Sequence, residues 1–185
     1  MGSADERLAE MERKMESSKM DLNYRLINEK DLPELTRIMQ RAFDDDAHKH
    51  LGIEHGGPPG YDNGEFFRTW LFPYRESVGY SILSAQRIVG GMIVWILPDG
   101  QNILGTIFID PDYQDCGIGQ QSWQFIEGVY PQTKSWRLAT PSWAVKNHHF
   151  YKKCGFQEVS SDPLIPPEEQ QTIYRKEIRA SSPSG

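Results

Sequence analysis

The sequence predicts one mixed α/β (α+β) domain over residues 21–179, and three observations predict it. At 185 residues the chain is long enough for one sizeable core. Its composition, 38% hydrophobic and 25% charged, is that of a globular protein. Runs with strand and helix periodicity follow one another in the order strand, helices, three strands, helix, strand, helix, two strands.

Residues 1–20 are polar and charged, with Leu8, Met11 and Met15 at helical spacing. They read as a tail or a short exposed helix. Asn23 to Ile27 reads as the first strand. Asp31 followed by Glu34 has the form of a capping box, with Pro33 tolerated in the first turn. Leu32, Leu35, Ile38, Met39, Ala42 and Phe43 then recur at helical spacing, which predicts a helix to about Phe43. Residues 44–76 read as an irregular, aromatic-rich stretch, with a short helix over 64–72. A connection this long in a compact domain is usually functional.

Strands are predicted over Val78 to Ala85, Ile88 to Leu97 and Asn102 to Asp110, with turns at Gln86-Arg87 and Pro98-Asp99-Gly100. The third is apolar enough (Ile103, Leu104, Ile107, Phe108, Ile109) for burial on both faces. A helix follows from Ile118 to Tyr130, with Ser122, Phe125, Ile126 and Val129 on one face. Trp136 to Thr140 is the next strand. Ser142 is placed to cap a helix ending at Cys154, with Gly155 as its left-handed stop. Phe156 to Val159 and Thr172 to Ile178 close the fold, and residues 180–185 form a small, polar tail.

Charge and cysteine content narrow the function. Lys plus Arg total 20 against 26 Asp plus Glu, a net charge of −6. That balance argues against nonspecific nucleic-acid binding and favours a cationic substrate. Two cysteines, Cys116 and Cys154, exclude a paired-Cys metal site and argue for a reducing compartment. No apolar run approaches the ~20 residues of a membrane span. The cytoplasm is the expected location, and no membrane partner is expected. His48 and His50 with Asp44 to Asp46 lack a fixed ligand spacing, so no metal is expected.

The chemistry is concentrated in Ile107-Phe108-Ile109-Asp110-Pro111-Asp112-Tyr113-Gln114-Asp115-Cys116-Gly117-Ile118-Gly119: a buried strand, a glycine-bearing loop, then a helix start. Such a turn points several main-chain N–H groups at one spot, and the helix start adds roughly half a positive charge. It is an anion site suited to a pyrophosphate. The G-x-x-x-x-G-K-[ST] of a nucleotide loop is absent, and Ser122 stands where a dinucleotide fingerprint needs its third glycine. What remains is Gln-x-x-Gly-x-Gly. A second stretch, Asn147-His148-His149-Phe150-Tyr151-Lys152-Lys153-Cys154-Gly155-Phe156, sets a tyrosine four residues before Gly-Phe, where a helix gives way to a strand.

These two motifs, in this order and separation, resemble the GNAT N-acetyltransferase superfamily, in particular its small bacterial-type members. The resemblance runs from about Tyr24 to Ile178. It implies a central, mostly antiparallel twisted sheet of about six to seven strands, flanked by helices and splayed at the cofactor site. It implies acetyl-coenzyme A as co-substrate and a small-molecule or peptide amine as acceptor, attacked directly in a ternary complex. Ile107, Phe108 and Ile109 would offer backbone groups to the pantetheine arm. Gln114, Asp115, Cys116, Gly117, Ile118, Gly119 and Gln120 would cradle the pyrophosphate. Tyr151 would protonate the departing thiolate.

The chain also departs from the family pattern. Many members have an Asn where Ala144 stands, and Asn147 is the candidate to replace its cofactor contact. The usual positions of a general-base Glu correspond to about Ile103 and Ala139, neither a carboxylate. Two further sources for the base are a water chain or an ionisable side chain of the 44–76 stretch, such as His55 or Glu65. That departure sustains a rival reading as a catalytically idle acyl-coenzyme A binding or sensing domain. A protein-interaction module built on residues 5–16 and a homodimer are left open.

Overall fold

The computed structural model describes residues 20–160 and 170–178. The expected N-terminal helix or tail and the C-terminal tail lie outside the described residues. Seven strands form one sheet in the order β1-β2-β3-β4-β5-β7-β6. These are β1 (Leu22–Leu26), β2 (Ser77–Ser84), β3 (Arg87–Trp95), β4 (Gln101–Ile109), β5 (Ser135–Pro141), β6 (Gln157–Ser160) and β7 (Gln171–Glu177). Four α-helices accompany them: α1 (Leu32–Leu51), α2 (Glu65–Trp70), α3 (Ile118–Val129) and α4 (Val145–Lys153). Every pairing is antiparallel except β4 with β5. The mixed α+β architecture is the one expected.

The sheet is covered on both faces. Leu35, Ile38 and Met39 of α1 pack with Phe67 of α2 against Ile93 and Phe108. On the other face, Ile118, Trp123 and Ile126 of α3 join Tyr151 of α4 and Cys154 just after it against Met92, Val94, Leu104, Trp136 and Tyr174. Fully burying one such side chain is worth ~1.5–3 kcal/mol. Trp123, not Val129, is the bulky contact of α3: it packs edge-on to Trp136 at 5.2 Å, while Val129 is 41% exposed.

Several elements differ from the sequence reading. Helix α1 continues eight residues past Phe43 to Leu51, stopped by Gly52 at φ 67°. Ala47 is buried on the same stripe as Met39 and Ala42, and Asp45 pairs with Lys49 one turn on. Asp31 does not cap α1. A short 3₁₀ turn, Glu29–Asp31, precedes the helix, and the capping box belongs to Asn28 and Asp31. The β2–β3 turn is Ala85-Gln86, both at positive φ (47° and 67°), which is the twist a two-residue hairpin needs. Ser142 caps nothing; its hydroxyl meets that of Thr172 at 3.0 Å, and α4 starts after Ala144 without a side-chain cap.

Two irregularities shape the centre of the sheet. Ile93 pairs with Thr106 but Val94 with Leu104, so Gly105 is an extra, bulged residue in β4. And β4 pairs with β5 only through Gln101, Asn102 and Ile103. From Leu104 to Ile109 the two strands diverge. Because the divergence leaves that part of β4 without a neighbour on the β5 side, Ile107 and Ile109 are half-buried, not enclosed on both faces.

Candidate active site

The gap between β4 and β5 opens into a cavity of about 870 Å³. Three walls meet there: the second half of β4, the loop into α3, and α4 with the end of β5. The end of α1 and the loop after it form a fourth.

The loop is built for an anion. Asp115 has φ 61° and Gly117 φ 76°, so the chain reverses twice before α3 begins. Gly117 occupies the N-cap position without a side-chain cap. The first intrahelical bond is Gln121 N–H to the Gly117 carbonyl at 3.0 Å, which leaves the N–H groups of Ile118, Gly119 and Gln120 without helical acceptors. Those residues line the cavity. A Cβ on Gly119 would lie 3.0 Å from the Phe150 ring, so the glycine lets α4 close on the loop. The Gln114 side chain donates to the Ile109 carbonyl at 3.1 Å, tying the loop to β4. Uncapped donors at a helix start beside a cleft fit a diphosphate.

A residue absent from the sequence reading joins this wall. Lys146 of α4 donates to Gln114 at 2.8 Å and pairs with Asp115 at 3.2 Å. Asn147, next to it, donates to the Thr140 hydroxyl at 3.3 Å and lines the cavity.

Tyr151 is held by the end of its helix. The Phe156 N–H bonds the Tyr151 carbonyl and the Gly155 N–H bonds that of Lys152, both at 3.0 Å, with Gly155 at φ 89°. This is a Schellman stop, and the rings of Tyr151 and Phe156 make its usual apolar contact at 6.0 Å. The Tyr-x-x-x-Gly-Phe spacing is thus a geometric device that fixes the ring. The phenol is buried yet borders the cavity, and its hydroxyl has no hydrogen-bond partner among the described residues. Burial raises its pKa above the ordinary value, reinforced by the charges of Cys154 and Asp46. A phenol so placed stays protonated across the physiological range.

Of the twelve residues singled out, eleven border the cavity: Ile107, Phe108, Ile109, Gln114, Asp115, Gly117, Ile118, Gly119, Gln120, Asn147 and Tyr151. The Phe108 and Ile118 side chains belong to the two cores, which leaves their main chain for a ligand. Cys116 is the exception: the reversal at Asp115 turns it outward, and its exposed thiol bonds the Gln114 carbonyl at 3.4 Å. His55 and Glu65 are corrected as well. Neither borders the cavity; His55 faces Asp44 at 3.1 Å and Glu65 pairs with Arg68.

The three aspartates of α1 have separate tasks. Asp44 accepts from the Tyr61 hydroxyl at 2.6 Å and the Gly56 N–H at 3.1 Å, folding the following loop back onto the helix. Asp45 pairs with Lys49. Asp46 faces the cavity. A helix read as ending at Phe43 hides this division; extending its 3.6-residue stripe through Ala42, Phe43, Asp46 and Ala47 reveals it.

Among the described residues, no group of three or more His, Cys, Asp or Glu is gathered to hold a metal ion. No helix among them is long and apolar enough to cross a membrane.

Residues 76–158 match the acetyltransferase (GNAT) domain family. The chain is 35% identical to the uncharacterized protein YrkN of Bacillus subtilis (strain 168) over 136 residues, 72% of each chain. The chain belongs to the GNAT acetyltransferase superfamily. The fold agrees. An acetyltransferase from Thermus thermophilus superposes with a TM-score of 0.68 at 18% identity, covering 85% of this chain and 97% of that one. The ribosomal-protein-S18-alanine N-acetyltransferase of Escherichia coli gives 0.67 at 18% identity, covering 88% and 97%. The PaiA N-acetyltransferase of Thermoplasma acidophilum, solved in complex with coenzyme A, gives 0.66 at 16% identity, covering 86% and 100%. Acyl transfer is the chemistry of this superfamily, and this GNAT chain has the split sheet and uncapped α3 start described above.

Proposed function

We propose that this GNAT chain binds acetyl-coenzyme A in the gap between β4 and β5 and transfers the acetyl group directly to an amine. One observation carries the reading: the uncapped start of α3 and the Tyr151 hydroxyl border the same cavity, opened by the loss of β4–β5 pairing after Ile103. The N–H groups of Ile118, Gly119 and Gln120, with the Lys146 ammonium nearby, suit the diphosphate. The exposed edge of β4 offers main-chain donors to the pantetheine and to the thioester carbonyl; one well-aimed donor of that kind is worth ~3 kcal/mol in the transition state. Tyr151 supplies a proton to the sulfur as the carbon–sulfur bond breaks. Much of the acceleration then comes from holding amine and thioester in contact.

The test is thiol release from acetyl-coenzyme A with a panel of amines: an alanine-initiated peptide, lysine, spermidine and 2-phenylethylamine. Tyr151→Phe is expected to lower kcat about 100-fold and to leave coenzyme A affinity within twofold. A collapse of cofactor binding would refute the acid role. Because neither Ile103 nor Ala139 is a carboxylate, an idle acyl-coenzyme A sensor is the second reading. Saturable binding without release across the whole panel would favour it.

A further inference from the structure

The amine needs a place to bind and a group to take its proton, and the family's usual base positions hold Ile103 and Ala139. The cavity contains two carboxylates, Asp46 and Asp115. Asp115 is paired with Lys146. Asp46 makes no hydrogen bond and no ion pair among the described residues, although it is half-buried. It sits on the α1 wall of the cavity that Tyr151 also borders, within electrostatic reach of it. Phe43, Ala47, Leu51, Pro58 and Phe66 give the α1 side of the cavity an apolar lining, with His50, Lys49 and Lys146 the cations within electrostatic reach of the carboxylate.

We propose that Asp46 is the acceptor carboxylate: it pairs with the ammonium of an amine whose remaining body is apolar, and it takes the proton that must leave before attack. The inference rests on the acetyl-transfer reading and extends it to the substrate class. One unpaired carboxylate beside an apolar lining, with the other already held by Lys146, suits a single cation and disfavours a polyamine.

The groups facing Asp46 are consistent with that task. Burial raises its pKa; His50 and Lys49 on α1 and Lys146 on α4 pull it down, and Asp45 pushes it up. Burial prevails, so the carboxylate is a stronger base than an exposed aspartate. The position of α1 is itself fixed. Arg41, five residues earlier, grips both oxygens of the buried Asp110 at 2.7 Å at the end of β4.

The proton and electron balance closes. An ammonium proton passes to Asp46, and the freed nitrogen lone pair forms the bond to the thioester carbonyl carbon. The carbon–sulfur bond breaks with its pair going to sulfur, which takes the Tyr151 proton. The second amine proton returns to the tyrosinate, and Asp46 releases its own to solvent.

The probe is 2-phenylethylamine titrated calorimetrically into the protein saturated with coenzyme A. Asp46→Asn is expected to weaken its binding tenfold or more, with coenzyme A affinity within twofold, and Asp46→Glu to restore most of the loss. Spermidine is expected to bind more weakly than 2-phenylethylamine. The acid limb of kcat/KM, displaced upward from that of an exposed aspartate, is expected to vanish in Asp46→Asn. Because ionising a carboxylate of raised pKa opposes folding, that variant is expected to melt no lower than wild type at pH 7. Wild-type affinity for the amine in Asp46→Asn, or a parallel loss of coenzyme A binding or of melting temperature, would overturn the assignment. Amine binding that depends on Asp46 without any thiol release would refute acetyl transfer and leave the Asp46 binding site standing.

Discussion

Asp31 shows how much one side chain can carry outside the site. Burial opposes its ionisation, but the paired bonds from Arg25, at 2.6 Å each, and the Asn28 N–H outweigh it and hold its pKa below the ordinary value. A carboxyl depressed in the folded state stabilises fully above its unfolded pKa, near ~3.9, and loses that contribution as pH falls through the folded value. Breaking a buried pair costs ~3–5 kcal/mol, less here because the guanidinium is half exposed. Asp31→Asn should therefore lose about 2 kcal/mol at pH 7 by urea denaturation, with the difference from wild type closing below about pH 4. Single residues also show what a sequence conceals. Asp31 with Glu34 reads as a capping pair, yet Arg25 lies across a turn that no local pattern announces. The place of Tyr151 at the end of its helix was legible because the spacing Tyr-x-x-x-Gly-Phe marks the helix stop. Asp46 was not, because its orientation depends on where α1 ends.

Elements were read well wherever their own periodicity decided them, and poorly where a neighbour did. The strands β2 to β5 and helix α3 fall within a residue or two of expectation, since buried runs and turn residues mark them. The last two turns of α1 are rich in Asp, His and Lys and look like loop; Ala47 packed beneath them keeps the helix going, and Gly52 ends it. The bulge at Gly105 has no local signature beyond the glycine itself. The junction of α3 with α4 gives a test at this scale. Gly119 faces the Phe150 ring, with 3.0 Å left for a Cβ. Gly119→Val must push that ring away and crowd the N–H groups at the helix start. Coenzyme A affinity should fall at least tenfold by calorimetry. Far-ultraviolet circular dichroism should stay unchanged, since the ring can move toward the open cavity.

The whole molecule is a sheet held together from β1 to β4 and from β5 to β6, joined at the middle by three residue pairs. Its two cores lie on opposite faces, and the cavity falls between the halves. A ligand that bridges both halves must stabilise the fold. Coenzyme A at 100 times its dissociation constant would add ~2.7 kcal/mol, or about 5–10 °C in melting temperature for a chain of this size. A thermal scan checks this, and no shift at saturation would contradict binding in the gap. The antiparallel sheet was expected only through the family likeness; hydrophobic pattern alone does not say which strands pair, because that depends on contacts far apart in the chain. The loss of pairing beyond Ile103 has one more effect. Between Leu104 and Ile109, alternate peptide hydrogens on the β5 side meet no strand partner, so in deuterated water they should be replaced quickly, as at a frayed edge, despite lying mid-sheet. An occupant that stitches the two halves should slow that replacement, leaving an isotopic footprint along one side of a single strand.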